Sequence, residues 1–425
     1  MLPKLPIEHC QLEMNRPTRF AVSIDRDLLQ TTERRLLLSR LPEELADIAD
    51  DDSSHGVKIS RVRELADHWR NQYSWDDQER KLNETFDNYL VKINVPDYGL
   101  LTLHYTHKES PHPHAIPLLF LHGWPGSFVE ASKVVGPLAR GDPDDDSRTS
   151  FHVVAPSIPG FGLSPAPFRS GVGPEVVARA FRILMTDVLG YPNFATHGGG
   201  QLGASIARWI AIQSPGAVKA QHFTAFPAPP PTMRSAPLAR MRMRCSRVLY
   251  SKYEKNMHRN RRLFETERST HLELQRRCPQ TLGVALGDSP VGLLAWFVEQ
   301  MDSWGDTPGS LENDDVIDLV MMHWIQGATP GLRFFKEAFG ASREAERAFE
   351  QFVQIPTGVS VFRNEILPCP KDWARQIANI RFWRQHDQGG QFPALECPET
   401  LVEDLRSFMS PKKAKHLAKK EKEQG

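Results

Sequence analysis

The chain has 425 residues, 40% of them apolar and 24% charged, with lysine plus arginine equal to aspartate plus glutamate at 52 each. A net charge of zero provides no general field for capturing nucleic acid or an anionic membrane, which points to a small-molecule partner. Five cysteines (Cys10, Cys245, Cys278, Cys369, Cys397) are scattered without CxxC pairing, arguing against a disulfide framework or zinc site, so a cytoplasmic setting with no metal or other cofactor is expected.

The N-terminus has no short apolar run behind a basic start, and no stretch of about 18 apolar residues occurs, so neither a signal peptide nor a membrane span is expected. From Arg16 to Phe86 the pattern is helical and polar, with the leucines of DLLQTTERRLLLSRL on one face; residues 1–86 read as an N-terminal helical cap segment. DNYLVKINV and LLTLHYTH then alternate apolar and polar residues around a turn at Pro96, Asp97 and Gly99, as a half-buried hairpin does. Three apolar runs follow, IPLLFLHGWPG, FHVVAPSIPGFG and FATHGGGQLG, each separated by room for a helix, and VKAQHFTAF is a fourth. Buried strands alternating with helices predict a mainly parallel sheet covered on both faces, an α/β fold whose first part spans 87–226.

The rhythm breaks at PAPPPTM, residues 227–233. The stretch 227–355 reads as an inserted helical lid whose opening, MRSAPLARMRMRCSRVLYSKYEKNMHRNRRLF, is strongly basic, either a solvated helix face or a grip for an anionic group. The core resumes over 356–410 with strands VSVFRN and ANIRFWRQ and the helix ETLVEDLRSFM, and a basic tail, 411–425, closes the chain. No metal-ligand spacing and no GxGxxG phosphate loop appear.

Between the strand FATH and the helix ASIARWIAIQ lies Gly199-Gly200-Gln201-Leu202-Gly203, which fits a tight strand-to-helix turn that lifts one side chain above the sheet between small neighbours. An apex at Gly200 would put Leu202 on a flank that needs a small residue, so the apex is expected at Gln201. Ser127, Ser157, Ser164 and Cys397 lie off this elbow and read as structural, as does His197 on its strand.

These motifs resemble the microsomal-type epoxide hydrolases over residues 18–409. HWRNQYSWDDQERKLN, LFLHGWPGSF, VVAPSIPGFGLS, the elbow, DSPVGLLAWFVEQ, GLRFFKEAF, IPTGVSVF and QGGQFPALECPETLVEDLRSFM occur in order. The resemblance implies an α/β-hydrolase fold. In that family an elbow aspartate attacks the epoxide, and water opens the resulting ester with a histidine oriented by an acid, while two lid tyrosines protonate the epoxide oxygen. Carried over, the aspartate falls on Gln201, the histidine on Gln391, the acid on Glu365, and the tyrosines on Phe334 or Phe335 and on His271. His122, Gly123, Trp124 and Pro125, with Leu202, would line the substrate and oxyanion site.

A carboxamide is a far poorer nucleophile than a carboxylate, and glutamine cannot accept a proton near neutral pH as imidazole does. The sequence therefore predicts an epoxide hydrolase-like protein handling a small apolar epoxide or related biosynthetic intermediate by a non-covalent route: cyclisation, rearrangement or direct water addition. Glu365, His271 and His386 are the remaining proton-transfer candidates. The alternatives are a catalytically inactive protein that binds a ligand or another protein, and residual epoxide hydrolysis. Oligomerisation and peripheral membrane association are left open.

Overall fold

A computed structural model describes residues 12–47, 54–141 and 149–410; Cys10 and the basic tail lie outside them. The alternating segments form the hairpin, β2 (Asn88–Val95) and β3 (Gly99–Lys108), in register from Asn88 opposite Thr106 to Val95 opposite Gly99. Asp97 and Gly99 take left-handed φ at its turn. The apolar runs are β4 (Ile116–Leu121), β5 (Phe151–Pro156), β6 (Phe194–Gly198) and β7 (Val218–Phe223). With β1 (Thr18–Phe20), β8 (Val353–Val361) and β9 (Ala378–Gln385) they complete, among the described residues, a nine-stranded sheet of order β1-β2-β3-β5-β4-β6-β7-β8-β9, parallel from β5 onward and antiparallel across the leading strands. This is an α/β-hydrolase fold.

Two strand boundaries differ from the sequence expectation. The N-terminal stretch read as wholly helical contains β1 (Thr18–Phe20), an edge strand on β2. β8 starts at Val353 and runs through Pro356, where its pairing with β9 shifts register, so the proline interrupts the ladder without ending the strand.

Of the N-terminal helices α1 (Arg26–Leu37), α2 (Ile59–Asn71) and α3 (Trp75–Thr85), the first two pack on the lid and the third on the core helix Ser132–Arg140. α2 buries Val62, Leu65 and Trp69, at i, i+3 and i+7, and packs on the lid helices Pro290–Trp304 and Asn313–Trp324. Polar contacts fix that seat: His68 Nε2 to Asp314 Oδ1 at 2.7 Å, Tyr73 Oη to Asp318 Oδ1 at 2.7 Å, and Trp324 Nε1–H to Thr32 Oγ1 at 2.8 Å. Among the described residues no single helix is long and apolar enough to cross a membrane.

Candidate functional site

The site begins where β6 ends. All five residues of β6 are buried between β4 and β7, and Gly199, extended at φ −86° and ψ 139°, leads into the helix Gly200–Gln213. Gly200 has φ +54°, a left-handed conformation that glycine adopts without steric cost. A Cβ built on Gly200 would stand 2.6 Å from Gln391 Nε2 and 3.2 Å from Gly123 Cα. The apex of the turn is therefore Gly200, one residue before the expected Gln201, and it carries no side chain.

The close packing on the far flank of the turn falls at Gly203, the small residue that the Gln201 register calls for, while the left-handed φ falls at Gly200. The helix comes closest to β4 at Gly203, where a Cβ would lie 2.6 Å from Leu121 O and 2.7 Å from His122 O. Leu202 is buried in the apolar core and needs no small replacement. Gln201 sits half-buried on the first helical turn.

Gln391 is brought to the elbow. Its backbone N–H donates to Trp304 O at 2.9 Å, and its buried Oε1 has no hydrogen-bond partner among the described residues. Glu396 holds the surrounding loop: one carboxylate oxygen accepts Gly390 N–H at 2.9 Å and Phe392 N–H at 3.2 Å, while the other accepts the Asp306 N–H and the Ser310 hydroxyl. Asn364 Nδ2 adds bonds to Gly305 O and Asp306 O, so the end of the lid helix Pro290–Trp304 is stitched to the core.

Glu365 is buried nearby in the chain but is not joined to Gln391 by a hydrogen bond among the described residues; its Oε1 accepts Leu367 N–H at 3.1 Å. Burial pushes its carboxyl up to about 7, the backbone amides of Leu367 and Ile366 offsetting part of the rise. His386 is directed elsewhere: its Nε2 lies 2.6 Å from Asp404 Oδ2, and its ring stacks on Phe362.

The loop His122–Gly126 closes the elbow. His122 Nδ1 faces Gly123 O at 2.8 Å, so it carries the proton, and Nε2 accepts Ile158 N–H at 3.2 Å. Burial lowers this imidazole to about 4, so the ring is a neutral brace. His323, lowered to about 4 by the same cause, donates from Nε2 to Pro125 O at 3.1 Å and Gly126 O at 3.3 Å.

Beneath the loop lies Glu130, a residue the sequence reading passed over; its carboxyl occupies the place that any side chain on Gly126 would need. Burial pushes it up to about 8, partly offset by the Gly123 N–H, and its Oε1 has no partner among the described residues. Its only sequence signal is one acid inside the otherwise apolar and small run SFVEA.

Above the loop, Trp124 is surrounded by aromatic rings. His271 stacks on it at 5.1 Å and 6°, Phe335 meets it edge-on at 5.0 Å, and Phe297 and Trp304 each lie 5.7 Å away. The two phenylalanines expected at a lid tyrosine thus separate: Phe335 faces Trp124, while Phe334 packs on Phe161 at 5.6 Å. His271 Nδ1 faces Arg268 O at 3.1 Å, and burial lowers the ring to about 4, so near neutral pH it is an uncharged imidazole with Nε2 as an acceptor. Trp304 Nε1 is a second buried polar atom of this shell without a partner among the described residues.

The serines are structural: Ser127 caps the next turn through Val129 N–H, Ser157 bonds His104, and Ser164 donates to Ser157 O. His197 Nδ1 lies 3.0 Å from His222 Nδ1, in a buried chain that continues through Ser360 to Asp404.

Comparison with known proteins agrees with this architecture. Residues 17–131 match the family described as epoxide hydrolase N terminus, and residues 116–284 match the alpha/beta hydrolase fold family. A putative epoxide hydrolase of Stigmatella aurantiaca is 31% identical over 411 residues, covering 94% of this chain and 86% of the relative. Epoxide hydrolase 1 of Sus scrofa is 30% identical over 403 residues, covering 85% and 82%. The Aspergillus niger epoxide hydrolase structure has a TM-score of 0.78 at 27% identity, covering 96% of this chain and 98% of that one. A juvenile hormone epoxide hydrolase from the silkworm Bombyx mori, TM-score 0.80 at 23% identity with 92% and 93% covered, shares the fold.

Proposed function

The chain belongs to the epoxide hydrolase family, and from that premise we propose that it receives an apolar epoxide, or a related intermediate of a biosynthetic pathway, in the aromatic shell around Trp124 and handles it without a covalent ester. The observation that carries this reading is Gly200. It holds the left-handed apex of the elbow, where the family's attacking aspartate belongs, and offers no oxygen to attack with. Gln391, at the general-base place, has no basic nitrogen, and Phe335 has no hydroxyl to give the opening ring a proton.

Glu365 remains for chemistry. Held near 7, it is present in both protonation states close to neutral pH, which suits it to give or take one proton as a C–O bond of the epoxide breaks. Trp304 Nε1–H is a buried donor that an epoxide oxygen would satisfy, and Gln391 Oε1 a buried acceptor for a hydroxyl on the ligand or product. A second reading, binding without turnover, is favoured by the position of Gln391: its carboxamide stands against the place that a side chain on Gly200 would fill.

The test is a single turnover of aryl and alkyl epoxides in water enriched in heavy oxygen. The proposal expects either a rearranged product or a diol carrying the heavy isotope from the first turnover; absence of any product together with ligand-induced thermal stabilisation selects the binding reading. Efficient diol formation with unlabelled oxygen drawn from the enzyme would overturn both. The biosynthetic part is checked by whether genes for an epoxidase and a synthase neighbour this one.

A further inference from the structure

The basic opening of the lid is not used by the site around Trp124, yet its charge is strongly one-sided. Residues 233–259 contain eight arginines and lysines and a single acid, Glu254, in a protein of zero net charge. Arg242 takes that acid: its guanidinium donates to Glu254 at 2.6 and 2.7 Å and to Asp372 at 3.1 Å, and lies over the Tyr250 ring. The other cations of the segment, Arg234, Arg240, Arg244, Arg247, Lys252, Lys255 and Arg259, have no acidic partner among the described residues.

Apolar side chains protrude among them. Leu238 is 81% exposed and Val248 84%, with Met233, Met241 and Leu249 each more than half exposed. On the helix Pro237–Arg244, Leu238, Met241 and Arg244 stand at i, i+3 and i+6, one outward face, whereas Ala239 is buried and Arg242 is anchored inward. The following turn presents Arg247, Val248 and Leu249 together to solvent. The inner face is thus fixed by ion pairs and packing, and the outer one offers nonpolar tips set in a field of unneutralised positive charge.

We infer that this face docks on an anionic lipid bilayer, with Leu238, Met241, Val248 and Leu249 entering the headgroup boundary and the surrounding arginines and lysines meeting acidic headgroups. Charge complementarity selects an anionic partner, and the protruding aliphatic side chains select a lipid surface: against a nucleic acid they would abut phosphates, whereas a bilayer takes apolar tips and cations side by side. Because the rest of the chain carries 44 bases against 51 acids, its net charge is opposite to that of this segment, and the asymmetry orients the molecule lid-first. The inference rests on the surface of residues 233–259 and is independent of the chemistry at Gly200.

The experiment is co-sedimentation of the purified full chain with phosphatidylcholine vesicles with and without phosphatidylserine. Binding to the serine-containing vesicles should be at least roughly tenfold tighter and should weaken as salt is raised. Two exposed pairs separate the contributions: Arg244→Glu with Arg247→Glu should abolish the lipid selectivity, and Val248→Asp with Leu249→Asp should reduce binding several-fold. Thermal unfolding checks that both variants fold. Equal binding to both vesicles, no binding to either, unchanged binding by both folded variants, or binding to duplex DNA tighter than to anionic vesicles would overturn the inference.

Discussion

Replacing Glu130 by glutamine tests how the loop over the elbow is held. The carboxyl is buried against Gly126, with the Gly123 amide beside it, and is raised from an ordinary 4.5 to about 8. Its folded value exceeds its unfolded one, so between these limits the native state keeps a proton that the unfolded chain has released. The stabilising contribution is complete below about pH 4.5 and is lost as pH rises towards 8. At about 1.4 kcal/mol per pH unit, the wild-type chain should lose about 2–3 kcal/mol between pH 5 and pH 7 relative to Glu130→Gln, which has the same size and no proton to release. The histidines lowered by burial, His122, His271 and His323 among them, act with the opposite sign but are common to both proteins and cancel in the difference. Urea unfolding of both proteins at pH 5, 6 and 7 measures it. Parallel stability curves would refute the reasoning, because they would mean that Glu130 titrates alike in the folded and unfolded chain.

Three further outcomes follow from the elbow. Gly203→Ala places a methyl group against two backbone carbonyls, Leu121 O and His122 O, that cannot rotate away, and should cost about 1–3 kcal/mol by thermal or urea unfolding. No loss would show that the helix can stand off the strand. Gly200→Asp, with Gln391 kept so that no base opens the ester, should supply an attacking carboxylate, so that mass spectrometry after mixing with an epoxide finds a covalent adduct, and adding Gln391→His should clear it. Adding Phe335→Tyr to Gly200→Asp should speed adduct formation by about 10²-fold or more, through a proton donor beside Trp124. A folded Gly200→Asp, Phe335→Tyr variant that never gains the mass of the epoxide would show that position 200 does not address the ligand. Gln201→Ala should leave any wild-type turnover unchanged within about twofold, since Gln201 is not the apex.

The hairpin and the buried strands were legible because alternation and apolar runs report local burial, and the family motifs placed His122–Gly126, Glu365 and Gln391 in the right order. The apex was not legible. Gly198, Gly199 and Gly200 form a run that leaves the near flank the same for either register, the far flank favours Gln201 through Gly203, and the left-handed φ falls on Gly200. Glu130 and Glu396 were hidden for another reason: their partners, the turns at Gly126 and at Asp306–Ser310, matter through approach in space that no periodicity encodes. The seat of the N-terminal helices on the lid is of the same kind, since His68–Asp314 and Tyr73–Asp318 join positions more than 240 apart in the chain. The lid tyrosine position was read as Phe334 or Phe335 because adjacent residues point to different faces, and the ring packing on Trp124 distinguishes them.

The stitching of Trp304, Gly305 and Asp306 to Gln391, Asn364 and Glu396 makes the middle of the lid a pinned joint. Lifting the lid there would break several hydrogen bonds at once and drag the Gln391 loop with it, altering the site in the act of opening it. The helices between Pro237 and Arg277 are tied down as well, through Tyr253 Oη to Val361 O at 2.9 Å and Arg261 Nη1 to Ala228 O at 2.8 Å. The lid is thus held to the core at two places, and a rigid swing about either one breaks the contacts at the other.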